Sequence, residues 1–433
     1  MGFAVFGVDS LPFSLITEHE ELFPFLHQLY RNGQLREIRS CTPPVTIPAW
    51  SVISTGHDPG ELGTYGFYRR SDFSYRKYEM AESGWIHYPR IWSQNNAGKN
   101  YIISVPQTYP VSPVNGCLIS GILTPDYHSN FIWPKPEQTN INKLLAPETP
   151  MFDIHNFRRT NPEELIPEIE KMFRQKIKLI EHYLSRCHKS DCLFSVLIEP
   201  DRVNHAFWNY AFDNHPLFRN NKTCREFFFS FYRRLDQKLE YWFEQACRNG
   251  QTPLILSDHG ARSLKGSFCI NEWLKQTGFL KLQQPQSSGK IVTENINWAE
   301  SSIWAEGGYV GKLFFNLAGR EKYGFCRTDQ LKKQLNEQLK LLQKKTGLKI
   351  EIIYPEKIYK RCAKIAPDAF ILIDELNYRC AAGLHEGELL IPGNDTGPDA
   401  VNHDFQAIAA SNVKLKLVSS IQDIYGFLLE QIS

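Results

Sequence analysis

The chain has 433 residues, 42% of them hydrophobic and 13% aromatic, which is enough for a large packed core and for one large or two to three ordinary domains. A net charge of +2, without a basic stripe, argues against nucleic-acid binding. No stretch approaches ~18 uncharged apolar residues, so membrane insertion is not expected.

Met1-Gly2 leads straight into an apolar run with no basic leader. The ten cysteines are scattered and form no CxxC pair. Both features read as a cytoplasmic enzyme with reduced thiols. FAVFGVD (3–9) is a buried strand ending on an acid, Asp9. An unpaired carboxylate there costs several kcal/mol unless a cation, a helix cap or a loop satisfies it. Next comes SCTPPVTIPAWSVISTGHDPGELGTYGF (40–67), in which Pro43, Pro44 and Pro48 stiffen the chain around Thr46. A hydroxyl at a helix start sees backbone N–H groups and the positive helix end. Thr46 is therefore a candidate nucleophile, with Ser40 and Thr42 as rivals and a plain helix cap as the ordinary alternative.

YIISVP (101–106) is another strand. Asn161-Pro162 opens a helix, with apolar residues recurring from Leu165 to Leu184 at helical spacing. CLFSVLIEPD (192–201) is a strand that ends on Asp201, and His205 follows four residues later. If the chain turns helical there, both side chains share one face and reach one ion. The bland alternative is an Asp cap followed by a surface histidine. A helix is expected over 223–248, and then TPLILSDHG (252–260), a strand delivering Asp258 and His259. The lysines of 331–345 alternate with leucines at helical spacing and read as a solvated helix face.

This alternation predicts an α/β fold with a mostly parallel central sheet covered by helices on both faces. Strand-end acids place a site beyond the carboxyl ends of the strands. The expected organisation is a first part of the catalytic core over 1–261, a smaller cap segment over 262–400, and a return to the core over 401–433. The acids and histidines together form an O/N donor set that suits zinc or manganese better than magnesium alone.

Asp9 in FGVDS, PPVTIPAWSVISTGHDPGELG, EPDRVNHAFW, SDHG and NHDFQAIAAS occur in the order seen in the alkaline phosphatase superfamily. Over nearly the whole chain the sequence resembles its type I phosphodiesterase/nucleotide pyrophosphatase branch. The resemblance implies a hydrolase that uses two divalent ions. Asp9, Thr46, Asp258 and His259 would hold the ion that activates the nucleophile. Asp201, His205 and His403 would hold the other. His385 is a rival for the last role, and His403 is preferred because an apolar strand follows it at once. The Cys/Ser-x-Pro-x-Arg nucleophile motif of the sulfatase branch does not occur at Thr46.

One departure stands out. Nucleotide pyrophosphatases usually carry an Asn shortly after the nucleophile helix, where this chain has Phe67, so Arg69 or Arg70 is the expected replacement donor. Asn115 is a further expected substrate contact. The expected reaction is phosphodiester or pyrophosphate hydrolysis of a small phosphate ester through phospho-Thr46. A phosphomonoesterase, a phosphoryl transferase and a catalytically retired binding protein are the alternatives.

Overall fold

The computed structural model describes residues 2–397 and 399–432. Its centre is an eight-stranded sheet in the order Leu35–Arg39, Gln406–Ser411, Thr252–Leu256, Phe3–Val8, Cys192–Leu197, Asn100–Val105, Gly116–Ser120, Ile132–Trp133. The five strands from Thr252–Leu256 to Gly116–Ser120 are parallel, while both flanks are antiparallel. The sheet is thus mixed, which corrects the mostly parallel expectation. The reason is topological. The chain leaves the central sheet at the carboxyl end of Thr252–Leu256 and returns at that same edge, so Gln406–Ser411 has to run the other way.

Alternation along Phe3–Val8 fills both faces. Ala4, Phe6 and Val8 join one core with residues of the helices Pro24–Arg31, Pro162–Leu184, Glu199–Ala211 and Lys222–Arg248. Phe3 and Val5 join a second core with the helices Thr46–Thr55 and Ile424–Ile432. The Pro162–Leu184 helix starts as its sequence demands: Asn161 accepts from the Glu163 N–H and Pro162 takes the first position.

Residues 266–391 supply a second, seven-stranded sheet with its own apolar core, packed against the Thr328–Thr346 helix. A two-stranded ribbon, Gly260–Ser263 against Val401–Asp404, leads into and out of this segment, with Ala261 opposite His403. Among the described residues, no helix is long and apolar enough to cross a membrane.

Candidate active site

Three parallel neighbours, Phe3–Val8, Cys192–Leu197 and Thr252–Leu256, end at the same edge and deliver the buried acids Asp9, Asp201 and Asp258. After Cys192–Leu197 the chain turns directly into the Glu199–Ala211 helix, which puts Asp201 and His205 on one face. Asp201 Oδ1 lies 3.2 Å from His205 Nε2 and 3.6 Å from His403 Nε2, and the two Nε2 atoms are 3.2 Å apart. Next to this triangle, His259 Nε2 sits 3.6 Å from Asp9 Oδ1 and 3.3 Å from Asp258 Oδ2. The imidazoles of His259 and His403 stack at 3.8 Å, so the two groups adjoin. Donor atoms of Asp201, His259 and His403, and separately of Asp9, Asp258 and His259, lie within 4.8 Å of one another.

Thr46 opens the Thr46–Thr55 helix one position inside Val45, which makes no side-chain cap. Its hydroxyl, 2% exposed as a residue, points to Asp9 Oδ1 at 3.5 Å and His259 Nε2 at 3.4 Å. The ordinary role of a helix cap therefore does not describe it. Of the rivals, Ser40 spends its hydroxyl on the Asp258 carbonyl.

Every ligand-type side chain is held by its other end. His403 Nδ1 donates to the Pro44 carbonyl (2.8 Å), His259 Nδ1 to the Gly260 carbonyl (3.0 Å) and His205 Nδ1 to Asp399. Each Nε2 therefore faces the site, and it carries the lone pair when the ring is neutral, as it must be to bind a metal. The carboxylates behave alike: Trp50 Nε1 donates to Asp9 Oδ2 (2.7 Å), Ser10 N–H to Asp258 Oδ1 (3.2 Å) and Arg202 to Asp201 Oδ2 (2.7 Å). Asp201 Oδ1 and Asp258 Oδ2 remain buried without a hydrogen-bond partner. Orphaned buried carboxylate oxygens beside inward-facing imidazole lone pairs fit a divalent cation. Gly7 assists this arrangement, because a Cβ there would come within 2.3 Å of the Trp50 ring that holds Asp9.

The electrostatics agree. Burial, then the neighbouring carboxylates, push Asp9 and Asp258 well above the usual carboxylate range. A bound cation would relieve both costs. Burial works against the charge on Asp201, but His205, Arg202 and His403 outweigh it and hold the carboxyl well below its usual range. Burial likewise opposes protonation of His205, yet Asp399, Tyr309 and Asp201 raise it well above an ordinary imidazole. Burial lowers His259 to about 4 and, with His259 beside it, also lowers His403.

Other expected residues lie elsewhere. His385 belongs to a short pair with Ser288 in the 262–400 segment. Arg69 donates to Glu79 and to the Gly63 carbonyl and lies 3.7 Å over the Trp85 ring, so its guanidinium is committed to its own hairpin and the segments flanking it. Arg70 pairs with buried Glu321. Phe67 packs on the edge of the first core. Asn115 immediately precedes Gly116–Ser120, a strand parallel to those that carry the acids. It therefore stands at the amino edge of the sheet, opposite the site, and donates to the Gly98 carbonyl. The structure does not bring Asn115 to this site.

Several residues of the site were not singled out from the sequence. Trp50 lies one helical turn after Thr46, and that spacing was a usable signal. Asp399 orients His205 and also accepts from Arg158, Arg379 and Asn394. Tyr309 stacks on His403 at 3.6 Å. Neither Asp399 nor Tyr309 sits in a periodic pattern that could have pointed to it.

A family model described as type I phosphodiesterase/nucleotide pyrophosphatase matches residues 3–404. The chain belongs to that family. Solved structures agree at the level of the fold. The phosphonoacetate hydrolase from Sinorhizobium meliloti 1021 in complex with phosphonoformate is 13% identical with a TM-score of 0.61, covering 100% of this chain and 96% of that one. Human ectonucleotide pyrophosphatase/phosphodiesterase 5 is 12% identical with a TM-score of 0.53, covering 100% and 95%. The murine counterpart, as an inactive variant in complex with AMP, is 12% identical with a TM-score of 0.51, covering 100% and 95%. No curated protein matches the sequence. Membership of the type I phosphodiesterase/nucleotide pyrophosphatase family makes this chain a phosphoester hydrolase of a metal-dependent family, and the buried donor groups are where a metal fits.

Proposed function

We propose that the chain hydrolyses a phosphodiester or pyrophosphate bond of a small phosphate ester through a phospho-Thr46 intermediate, with two divalent ions. The observation that carries this reading is the Thr46 hydroxyl, aimed between Asp9 and His259 at the start of a ten-residue helix. Asp9, Thr46, Asp258 and His259 would hold one ion, and Asp201, His205 and His403 the other. The nitrogen and oxygen donors favour zinc, with manganese as the alternative. When bound, the ions supply positive charge that makes the hydroxyl a usable nucleophile and offsets charge developing on the phosphoryl oxygens.

The chain's own groups do the rest. Pro44 and the helix behind Thr46 fix the direction of attack. The Thr46 oxygen loses its proton to solvent and bonds to phosphorus as the ester oxygen leaves on the opposite side and takes up a proton. Water then replaces the threonine oxygen, one of its protons restoring the hydroxyl and the other passing to solvent. Only the Thr46 and Ile47 N–H groups of the first turn would be available to phosphoryl oxygens, because Pro48 has none and Ala49 donates to the Val45 carbonyl. The 262–400 segment acts as the cap that selects the leaving group. Phe67 stands in the sequence where the family usually carries an amide and supplies no donor, so phosphoryl oxygens would depend more on the ions and the helix end.

Thr46→Ala should lower turnover by at least a factor of about 10³, with the fold and most bound metal retained. Thr46→Ser should keep partial activity. The measurement is turnover of aryl phosphodiesters, aryl phosphomonoesters and nucleotides with added zinc or manganese. Undiminished activity of Thr46→Ala would overturn the nucleophile assignment. A preference for monoesters would replace the diesterase reading with a monoesterase on the same site.

A further inference from the structure

The cap segment contributes a hydroxyl to the centre. Tyr309 lies in the turn between the strands Ile303–Glu306 and Gly311–Phe315 of the second sheet. That turn is fixed from both sides. Gly308 and Cys380 exchange backbone hydrogen bonds of 2.8 and 2.9 Å, and Asn402 Nδ2, next to His403, donates to the Tyr309 carbonyl at 3.2 Å. Gly307 approaches the neighbouring strand so closely that a Cβ would lie 2.5 Å from the Cys380 carbonyl oxygen. The ring is sandwiched as well. It stacks on His403 at 3.6 Å, with the Arg379 guanidinium 5.2 Å from its centroid.

This rigid placement puts Tyr309 Oη 3.2 Å from His205 Nε2, about the separation between the donor atoms of the Asp201, His205 and His403 triangle. Arg158 Nη2 donates to Oη at 2.8 Å. The hydroxyl oxygen is thus used as an acceptor, and its hydrogen is free to point into the site. The only ring nitrogen of His205 that could receive it is Nε2, because Nδ1 is spent on Asp399. Once Nε2 gives its lone pair to an ion it no longer accepts, and the hydroxyl hydrogen needs another oxygen nearby. Thr46 stands on the Asp9 and His259 side of the centre, whereas Tyr309 stands on the His205 and His403 side. In an in-line displacement, the oxygen leaving phosphorus is opposite the attacking one.

We propose that Tyr309 is a catalytic residue whose hydroxyl, held by Arg158, donates a hydrogen bond to the oxygen that leaves phosphorus. This inference rests on the in-line reaction proposed for Thr46. It assigns a chemical task to a residue of the 262–400 segment that the ligand motifs do not contain. Stabilisation of a leaving oxygen matters most when that oxygen is strongly basic, so Tyr309 fits the enzyme to alkyl or sugar esters rather than to activated aryl esters.

Tyr309→Phe keeps the ring that stacks on His403 and removes only the hydroxyl. Three measurements on the metal-loaded full chain decide the matter: metal content by elemental analysis, affinity for inorganic phosphate by calorimetry, and turnover across esters of graded leaving-group basicity. Inorganic phosphate is a suitable probe because its fourth oxygen occupies the place of the leaving oxygen. The variant should keep its full metal content and bind phosphate about tenfold more weakly. Its turnover should fall about tenfold further for an alkyl ester than for a nitrophenyl ester. Loss of an ion from the variant would make Tyr309 a ligand and overturn the proposal. Unchanged phosphate affinity at full metal content would overturn it equally. If the wild-type chain turns over no ester while Tyr309→Phe still weakens phosphate binding, the hydrolase reading of Thr46 fails and the role of Tyr309 as a donor to the bound oxyanion stands.

Discussion

At the scale of single residues, the site is a set of side chains each fixed at its far end and open at its near end. The Trp50–Asp9 and Pro44–His403 contacts show the pattern in a carboxylate and an imidazole. Such outer contacts are typically worth ~10–100-fold in metal affinity, and a direct ligand is worth more. His403→Ala should therefore lose one of two ions and most activity, whereas His385→Ala, seated against Ser288 in the second segment, should change neither by more than about twofold. Elemental analysis of the purified variants is the check, and normal metal content in His403→Ala is the result that removes His403 from the site. These residues differed in how far the sequence exposed them. Asp201 and His205 were legible because a helix makes residues four apart share a face, and Asp9 and Asp258 because an acid closing an apolar strand demands a partner. Asp399 was not legible: it lies in an irregular segment where no period marks which way a side chain points. Asn115 misled for a related reason, since a parallel strand must be entered from the edge opposite the site.

At the scale of elements, the long helices and five of the eight strands of the central sheet could be read from period and end signals, but Leu35–Arg39, Gly116–Ser120 and Ile132–Trp133 were not, nor were the partners that finish the elements. The Pro24–Arg31 helix shows this. Phe23 precedes it and makes no side-chain cap, so its first N–H groups need acceptors from elsewhere. Asp236, in the Lys222–Arg248 helix, supplies them, accepting from Phe25 N–H at 2.8 Å and Leu26 N–H at 3.1 Å. No local sequence rule reveals a cap that comes from another helix. Burial pushes the Asp236 carboxyl up to about 6, against the two N–H donors that lower it. A folded-state value above the unfolded one means that the native state holds the proton more tightly. The corresponding stability is complete below about 4 and is lost as pH rises through about 6. Asp236→Asn removes the titration but keeps an acceptor. In metal-free protein, the stability of wild type relative to this variant should fall by roughly 2–3 kcal/mol between pH 4 and pH 7. Urea unfolding at the two pH values measures it, and a parallel pH dependence in both proteins would show that the burial cost is met in another way. The antiparallel flank follows a similar logic. The residue pattern of 405–411 identified a strand, but its direction was set by where the second segment ends.

At the scale of the whole molecule, Asp399 joins parts of the chain that are far apart in sequence. It holds His205 of the Glu199–Ala211 helix, Arg158 from the segment before the Pro162–Leu184 helix, and Arg379 from the Tyr378–Ala381 strand of the second sheet. Burial opposes its charge, but His205, Arg158 and Arg379 together hold its carboxyl well below the usual range. Loading the metal should therefore do more than raise the melting temperature. Ligand binding at 100 times its dissociation constant adds about 2.7 kcal/mol. Amide exchange along Tyr378–Ala381 and the Tyr309 turn should also slow, by about 5–150-fold if the coupling has ordinary strength. Hydrogen exchange with and without a chelator tests this, and equal rates in the second sheet would show that the two halves do not communicate through Asp399.

Coupling of this kind is reciprocal. If His205 holds an ion as proposed, whatever steadies that ion steadies the second sheet, and whatever pries that sheet away loosens the ion. A substrate bulky enough to displace the Tyr309 turn would thus weaken the centre it needs for reaction. With an ion held there as proposed, the knot around Asp399 would act as a size gauge, rejecting by loss of that ion, not by a wall, a molecule that cannot fit beneath an undisturbed second sheet.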